Sequence, residues 1–141
     1  MKISLQKTVL AGIAATAVMT IVMYLAPMMG LPEMNAAAML SGMLGAPIVV
    51  GWAMHFMIGI IFALGYSFLF VSAVKIQNSV VKGAVFGFAA FVVAQIAMVM
   101  ISLVMGPMPA PDGGMMPMMV GSILGHIMYG IPVAIIAKPR Q

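Results

Sequence analysis

Two histidines lie in matching surroundings in the two halves of the chain. They are centred in Gly51-Trp-Ala-Met-His55-Phe-Met-Ile-Gly59 and in Ser122-Ile-Leu-Gly-His126-Ile-Met-Tyr-Gly130. Each has a small residue four positions before it and a glycine four positions after it, and the sequence contains 2 histidines in all. Imidazole can carry a proton, a metal ion or haem iron. Because ionisable side chains are costly within a membrane span, the pair indicates a functional site.

The long apolar stretches around both histidines predict a membrane protein. Of the 141 residues, 65% are hydrophobic and 6% are charged. A helix needs about 20 apolar residues to cross a bilayer. The sequence therefore predicts a single all-α integral membrane domain, residues 1–141, folded as an up-down-up-down bundle with the spans Val9–Met29, Pro47–Ser72, Gly83–Met105 and Met118–Ala137.

The positive charges predict how these spans are oriented. They occur at the N-terminus, in the middle loop and at the C-terminus: Lys2, Lys7, Lys75, Lys82, Lys138 and Arg140. Four spans bring all three regions to one side, and short loops rich in Lys and Arg are typical of the cytoplasmic side. We therefore expect cytoplasmic termini, with Glu33 and Asp112 facing outward. The net charge of +4 is explained by this topology and by the lipid bilayer, without nucleic-acid binding.

The chain also resembles two copies of one two-helix unit, residues 7–74 and 82–138. Thr8-x3-Gly12 aligns with Gly83-x3-Gly87, and His55-x3-Gly59 aligns with His126-x3-Gly130. A repeat of two spans keeps its orientation, so the units should be related by an axis along the membrane normal. This symmetry predicts that both histidines face each other at one depth.

The distances from each histidine to the next lysine challenge that equal depth. His126 precedes Lys138 by 12 residues, whereas His55 precedes Lys75 by 20 residues. Equal depth then requires the second helix to project beyond the membrane over residues 69–74, or to tilt.

Haem binding is one interpretation of the histidine pair. Gly51 and Gly59 lie one turn on either side of His55, and Gly130 lies one turn after His126, so their missing side chains could leave room for a macrocycle. The same glycines also fit close helix packing, in which the histidines only bridge helices by hydrogen bonds. Both interpretations remain open.

Copper binding is another interpretation, suggested by the methionines. Of 19 methionines, 14 lie in residues 28–57 or 105–128, around the outer loops. Thioether and imidazole groups suit Cu(I), so a metal site could include His55, His126, Met54, Met118 and Met119. Methionine is equally a flexible packing residue. A copper-handling or transport role would need a homo-oligomer, since four helices enclose little space.

Other polar residues give weaker signals. Gln95 aligns with Thr20 in the repeat and could hydrogen-bond a histidine or a neighbouring helix, while Tyr129 could hydrogen-bond near the site. The two acids are isolated, and no nucleophile or phosphate motif is present, so we expect no enzyme. A non-catalytic accessory subunit of a larger membrane complex is the remaining alternative.

The two outer connections differ in their predicted structure. Residues 33–44 contain good helix formers and predict a short interfacial helix, whereas the prolines and glycines of residues 107–114 predict a turn-rich connection. The absence of cysteine from the sequence excludes disulfides and thiolate metal sites.

The sequence resembles an uncharacterised bacterial family of small four-helix membrane proteins, a domain of unknown function. The resemblance rests on Ala26-Pro-Met-Met-Gly-Leu-Pro32, on Gly51-Trp-Ala-Met-His-Phe-Met-Ile-Gly59 and on Gly125-His-Ile-Met-Tyr-Gly130. It implies four spans in the bacterial cytoplasmic (inner) membrane and carries no assigned activity.

Overall fold

The computed structural model describes residues 4–106 and 114–138, which are helical apart from short connections. A 3-10 turn, Ala26–Met29, extends the first helix, and a π-helical segment, Tyr66–Phe70, joins the third helix to the fourth. Lys2, Arg140 and the connection that contains Asp112 lie outside the described residues. The helices are α1 (Leu5–Leu25), α2 (Ala36–Leu44), α3 (Ile48–Gly65), α4 (Val71–Ala73), α5 (Ser79–Met105) and α6 (Met115–Ile136).

Four helical segments are long and apolar enough to cross a membrane, in agreement with the four predicted spans. They cover Leu5–Met29, Ile48–Ala73, Ser79–Met105 and Met115–Ile136. Two of them begin four residues earlier than predicted because polar caps lie upstream. The Ser4 hydroxyl accepts a hydrogen bond from the Lys7 amide, and the Asn78 side chain accepts from the amides of Val80 and Val81.

The short helix predicted after the first span is present as α2. The Asn35 side chain caps its first turn by accepting the Ala38 N–H at 2.9 Å. It ends at Gly45, whose φ of 60° suits glycine. α2 packs against α3. Gly51 permits this contact, since a Cβ there would overlap the carbonyl group of Ala37.

The helices pack as two pairs joined through α1 and α6. α1 packs against α3 and α6, and α5 packs against α6. The π-helical segment that follows α3 is linked to α5 by aromatic contacts at one end of the bundle. The centroid of the Phe86 ring lies 4.9 Å from that of Tyr66 and 5.1 Å from that of Phe70. The two-fold symmetry expected from the repeat would make the α1–α6 and α3–α5 contacts equivalent, but α1 and α6 pack extensively whereas α3 and α5 do not.

Small and aromatic residues form the core at the basic end of the bundle. A hydrogen bond of 2.9 Å joins the buried hydroxyls of Thr8 on α1 and Ser67 in the π-helical segment. Thr8 lies close to the first residue of α1. The helical segment that contains Ser67 continues through Leu69 to Ala73, and so extends beyond the start of α1. The core cluster comprises Ala11, Ala15, Ala63, Tyr66, Val71, Phe86, Tyr129, Val133, Ala134 and Ala137.

Candidate functional site: the histidine pair

His55 is hydrogen-bonded to Thr20 of α1. Its Nε2 lies 3.2 Å from the Thr20 hydroxyl, which itself lies 2.8 Å from the carbonyl oxygen of Thr16. The Thr20 hydroxyl has one proton and donates it to that carbonyl, so it accepts from the Nε2–H of His55. In its neutral form, His55 therefore has an unprotonated Nδ1.

His126 has the opposite tautomer. Its Nδ1 lies 2.8 Å from the carbonyl oxygen of Ser122, one turn earlier in α6, and a carbonyl can only accept. Neutral His126 therefore has an unprotonated Nε2. The edge of its ring meets Phe91 on α5, with ring centroids 5.8 Å apart and an interplanar angle of 74°.

The two histidines lie at similar depth in the bundle. The Tyr129 hydroxyl of α6 donates a hydrogen bond to the Gly59 carbonyl of α3. His55 precedes Gly59 by four residues and His126 precedes Tyr129 by three, which is about 6 Å and about 4.5 Å along parallel helices at 1.5 Å per residue. The structure therefore places the two predicted site residues at similar depth.

Neighbouring helices fill the space beside the predicted cofactor glycines. Gly51 contacts α2, as described above. A Cβ at Gly59 would overlap the Thr16 hydroxyl, and a Cβ at Gly130 would overlap the Gly83 carbonyl. The glycines thus allow helix backbones to approach closely, which is the packing alternative raised by the sequence. None of the three leaves a slot for a macrocycle.

The same contacts correct the alignment of the two units. Gly59 packs against Gly12 and Thr16, whereas Gly130 packs against Gly83 and Gly87. Gly12 is therefore equivalent in space to Gly83, and the sequence alignment of Gly12 with Gly87 is wrong by one helix turn.

This shift also changes which residue of α5 corresponds to Thr20. One turn of correction makes Phe91 the counterpart of Thr20, and Phe91 is indeed the residue of α5 that meets His126. Gln95, which the sequence aligned with Thr20, lies one turn further along α5 and is exposed. The second histidine consequently bonds its own helix instead of a neighbouring polar side chain.

The predicted metal-binding methionines occupy different surroundings. Met54 is half-buried beside His55 in the chain. Met118 is half-buried and Met119 is 41% exposed, but they precede His126 by eight and seven residues, about 12 Å and about 10 Å of helix. The structure therefore does not bring Met118 and Met119 to the histidine pair.

Two methionines of α1, Met19 and Met23, lie against the residue that precedes His126, and they were not predicted from the sequence. The Sδ of buried Met23 would lie 2.9 Å from a Cβ at Gly125, the residue before His126, and the Cε of Met19 would lie 3.4 Å from it. Their signal in the sequence is the i, i+4 spacing beside Thr20, which puts both thioethers on neighbouring turns.

The donor atoms around the pair are uncharged. In residues 4–106 and 114–138, no group of three or more His, Cys, Asp or Glu side chains could hold a metal ion. Any ion here would meet imidazole nitrogen and thioether sulfur. Every fully buried side-chain nitrogen or oxygen in these residues has a hydrogen-bond partner. The unprotonated ring nitrogens have none, so they are accessible.

Comparison with known proteins places the chain in one family. The sequence profile of DUF6789, a family of unknown function, matches residues 4–138. No curated protein and no solved structure matches the chain.

Proposed function

The chain belongs to this family of unknown function, and we propose from its site that it binds a soft monovalent metal ion, Cu(I), between His55 and His126 within the membrane. The observation that carries the proposal is the hydrogen bond that each imidazole makes through one ring nitrogen. Each imidazole uses one nitrogen in a hydrogen bond that orients the ring, which leaves the other nitrogen as a lone-pair donor. Histidines that bind metals are typically oriented in this way.

The donors and the membrane select the ion. Imidazole and thioether groups suit Cu(I), and we assign Met23 of α1 as the third donor because its sulfur packs against the residue before His126. No Asp or Glu lies within the four helical segments that the structure describes as long enough to span a membrane, so no carboxylate of these segments would neutralise the ion. A divalent ion would leave two uncompensated charges in a region where each charge is costly, whereas Cu(I) leaves one.

Haem is the weaker candidate for the same pair. The glycines whose missing side chains suggested space for a macrocycle pack against helix backbones and side chains. The Tyr129–Gly59 hydrogen bond also joins α3 to α6 about one turn from the two histidines, where a haem bound by both would have to lie.

The remaining features of the proposal concern location and role. We propose an up-down-up-down protein of the bacterial inner membrane with both termini in the cytoplasm, because Lys7, Lys75, Lys82 and Lys138 all lie at the ends of spans that the topology brings together. We propose a non-catalytic role in holding or passing on the ion. An accessory role in a larger complex is compatible with this site.

Anaerobic Cu(I) titration against a chromophoric chelator tests the proposal. The purified protein in lipid nanodiscs should take up one Cu(I), and X-ray absorption should show nitrogen and sulfur neighbours. The double variant His55→Ala, His126→Ala should lose this ion. Met23→Leu should lose the sulfur signal and weaken binding about tenfold or more, while Met119→Leu serves as the matched control and should bind as the wild type does.

Two results would refute the copper site. One is Cu(I) uptake that is equal in the wild type and in the double histidine variant, with thermal unfolding showing that both are folded. The other is an intense haem absorption band in protein purified from haem-replete cells, abolished by the same double variant, which would establish haem instead.

A further inference from the structure

α5 is the least covered of the four long helices. In α5, 11% of an apolar 18-residue window is buried inside the structure. The corresponding shares are 33%, 28% and 33% in the segments that contain α1, α3 and α6. α1 packs against two helices along its length, whereas α5 packs mainly against α6. One flank of α5 is therefore available to a partner in the membrane plane.

The exposed flank has the spacing of a coiled-coil seam. Its members alternate at intervals of four and three residues along α5: Val81, Val85, Phe88, Val92, Gln95, Val99 and Ser102. Val81, Val85, Phe88, Val92 and Val99 are between 40% and 58% exposed, and Gln95 is also exposed. This is the a/d heptad pattern of left-handed helix pairs, which is also the common geometry of membrane helices. Packing against α6 does not require it, because α6 contacts Gly83 and Gly87 on another side of α5.

The seam has β-branched residues at the positions that correspond to a, which are Val85, Val92 and Val99. In two-stranded coiled coils, β-branched residues at a occur together with leucine at d. Phe88 and Gln95 occupy d positions. A single polar residue within such a seam fixes the register of the two helices.

The position of Gln95 is a second observation, independent of the residue spacing, in favour of a partner helix. It lies in the middle of α5, where an amide facing lipid lacks hydrogen-bonding water. By contrast, the Ser102 hydroxyl donates a hydrogen bond of 2.8 Å to the Val99 carbonyl of its own helix. The Gln95 side chain makes no such bond within the described part of the chain. A carboxamide has both donors and an acceptor, so it can pair with an identical carboxamide across a two-fold axis.

We propose that the protein forms a parallel homodimer through α5, in which the seam from Val81 to Ser102 packs against the same seam of a second copy and the two Gln95 amides hydrogen-bond each other. Two-fold symmetry about the membrane normal places each seam residue opposite the same residue of the second copy. The dimer is independent of the copper proposal, because Gln95 lies on the exposed flank of α5, whereas His126 meets buried Phe91 on another side of α5 and His55 lies on α3.

Cysteine cross-linking in membranes tests the seam directly, since the chain contains no cysteine. Val92→Cys and Val99→Cys should each give a covalent dimer on oxidation with iodine. Val93→Cys and Ile96→Cys are the matched controls and should stay monomeric, because Val93 and Ile96 are 53% and 59% exposed but lie off the seam. Equal or stronger cross-linking at the control positions would overturn the proposal.

Gln95→Leu tests the amide pair without leaving a cavity. In detergent, sedimentation equilibrium should show a dissociation constant raised about tenfold, equivalent to about 1.4 kcal/mol, within the range for a polar contact between membrane helices. Gln95→Asn should retain most of the affinity. A wild-type protein that is monomeric at all protein-to-detergent ratios, or a Gln95→Leu variant that dimerises as the wild type does, would refute the amide-paired dimer.

Discussion

Tyr129 of α6 donates a hydrogen bond to the backbone carbonyl of Gly59 on α3, across the interior of the bundle. Tyr129 is 3% exposed, and Gly59 is buried by α1. This bond joins the two helices that carry the histidines, each of which lies about one turn toward the helix N-terminus. Tyr129 therefore links the two helices close to the imidazoles, although it is not one of the proposed ligands.

Removing the Tyr129 hydroxyl should loosen this link while the ring continues to fill its space. We expect Tyr129→Phe to lower the free energy of unfolding by about 1 kcal/mol, the usual net value of a hydrogen bond, and to weaken Cu(I) binding. Thermal unfolding and chelator competition measure the two effects. Tyr24→Phe is the control, since Tyr24 is 80% exposed, and it should change neither. Unaltered stability and Cu(I) affinity in Tyr129→Phe would show that the bond does not position the site.

The hydrogen bonds predict different tautomers for the two neutral histidines. Nitrogen-15 NMR of metal-free protein in lipid should show the proton on Nε2 of His55 and on Nδ1 of His126, because these atoms face Thr20 and the Ser122 carbonyl. Thr20→Val should remove the His55 preference and leave His126 unchanged, whereas Thr20→Ser should preserve both. Finding the same tautomer at both histidines in the wild type would contradict the assignment.

The close crossing of α5 and α6 makes Gly87 sensitive to any added side chain. A Cβ there would overlap the carbonyl of His126 and lie 2.7 Å from the Cα of Ile127, so backbone must move. We expect Gly87→Ala to destabilise the protein by about 1–3 kcal/mol, the usual cost of overpacking, and to displace His126. Gly42→Ala is the matched control, because nothing lies within 4 Å of a Cβ in that α2 position. Alanine there should leave stability unchanged or raise it slightly. Equal stability of the two variants would mean that α5 and α6 are not packed this closely.

Much of the fold could be predicted from the sequence because long apolar stretches and polar caps are local signals. Both the four long helices and α2 follow from them, although Ser4 and Asn78 extend two helices beyond the apolar stretch. The register between helices is not local. From the sequence, Gly12 could align with either Gly83 or Gly87, because each of these two is followed four residues later by a small or aromatic core residue. The contacts of Gly59 and Gly130 show that Gly12 corresponds to Gly83.

The candidate site could be predicted only in part, because the histidine pattern is local in the sequence whereas the neighbours of the histidines depend on helix register. The repeated pattern singled out His55 and His126, and the structure brings them to similar depth. Their neighbours depend on the helix register and were harder to predict. A shift of one turn replaces Gln95 by Phe91 beside His126, and the α1–α6 contact brings Met23 toward the site instead of Met118 or Met119. Glycine spacing alone could not distinguish room for a cofactor from close helix contact.

The proposed topology predicts which side of the membrane each end of the bundle faces. Thr8 and Ser67 pair near the start of α1, so the exposed Ala73 lies at the basic end, while the exposed Ala38 of α2 follows the opposite end of α1. In intact bacteria, a membrane-impermeant maleimide should label Ala38→Cys at once and should label Ala73→Cys only after the cells are lysed. The cysteine-free chain is the blank. Labelling of Ala73→Cys in intact cells with protection of Ala38→Cys would invert the topology, and labelling of both would contradict four spans.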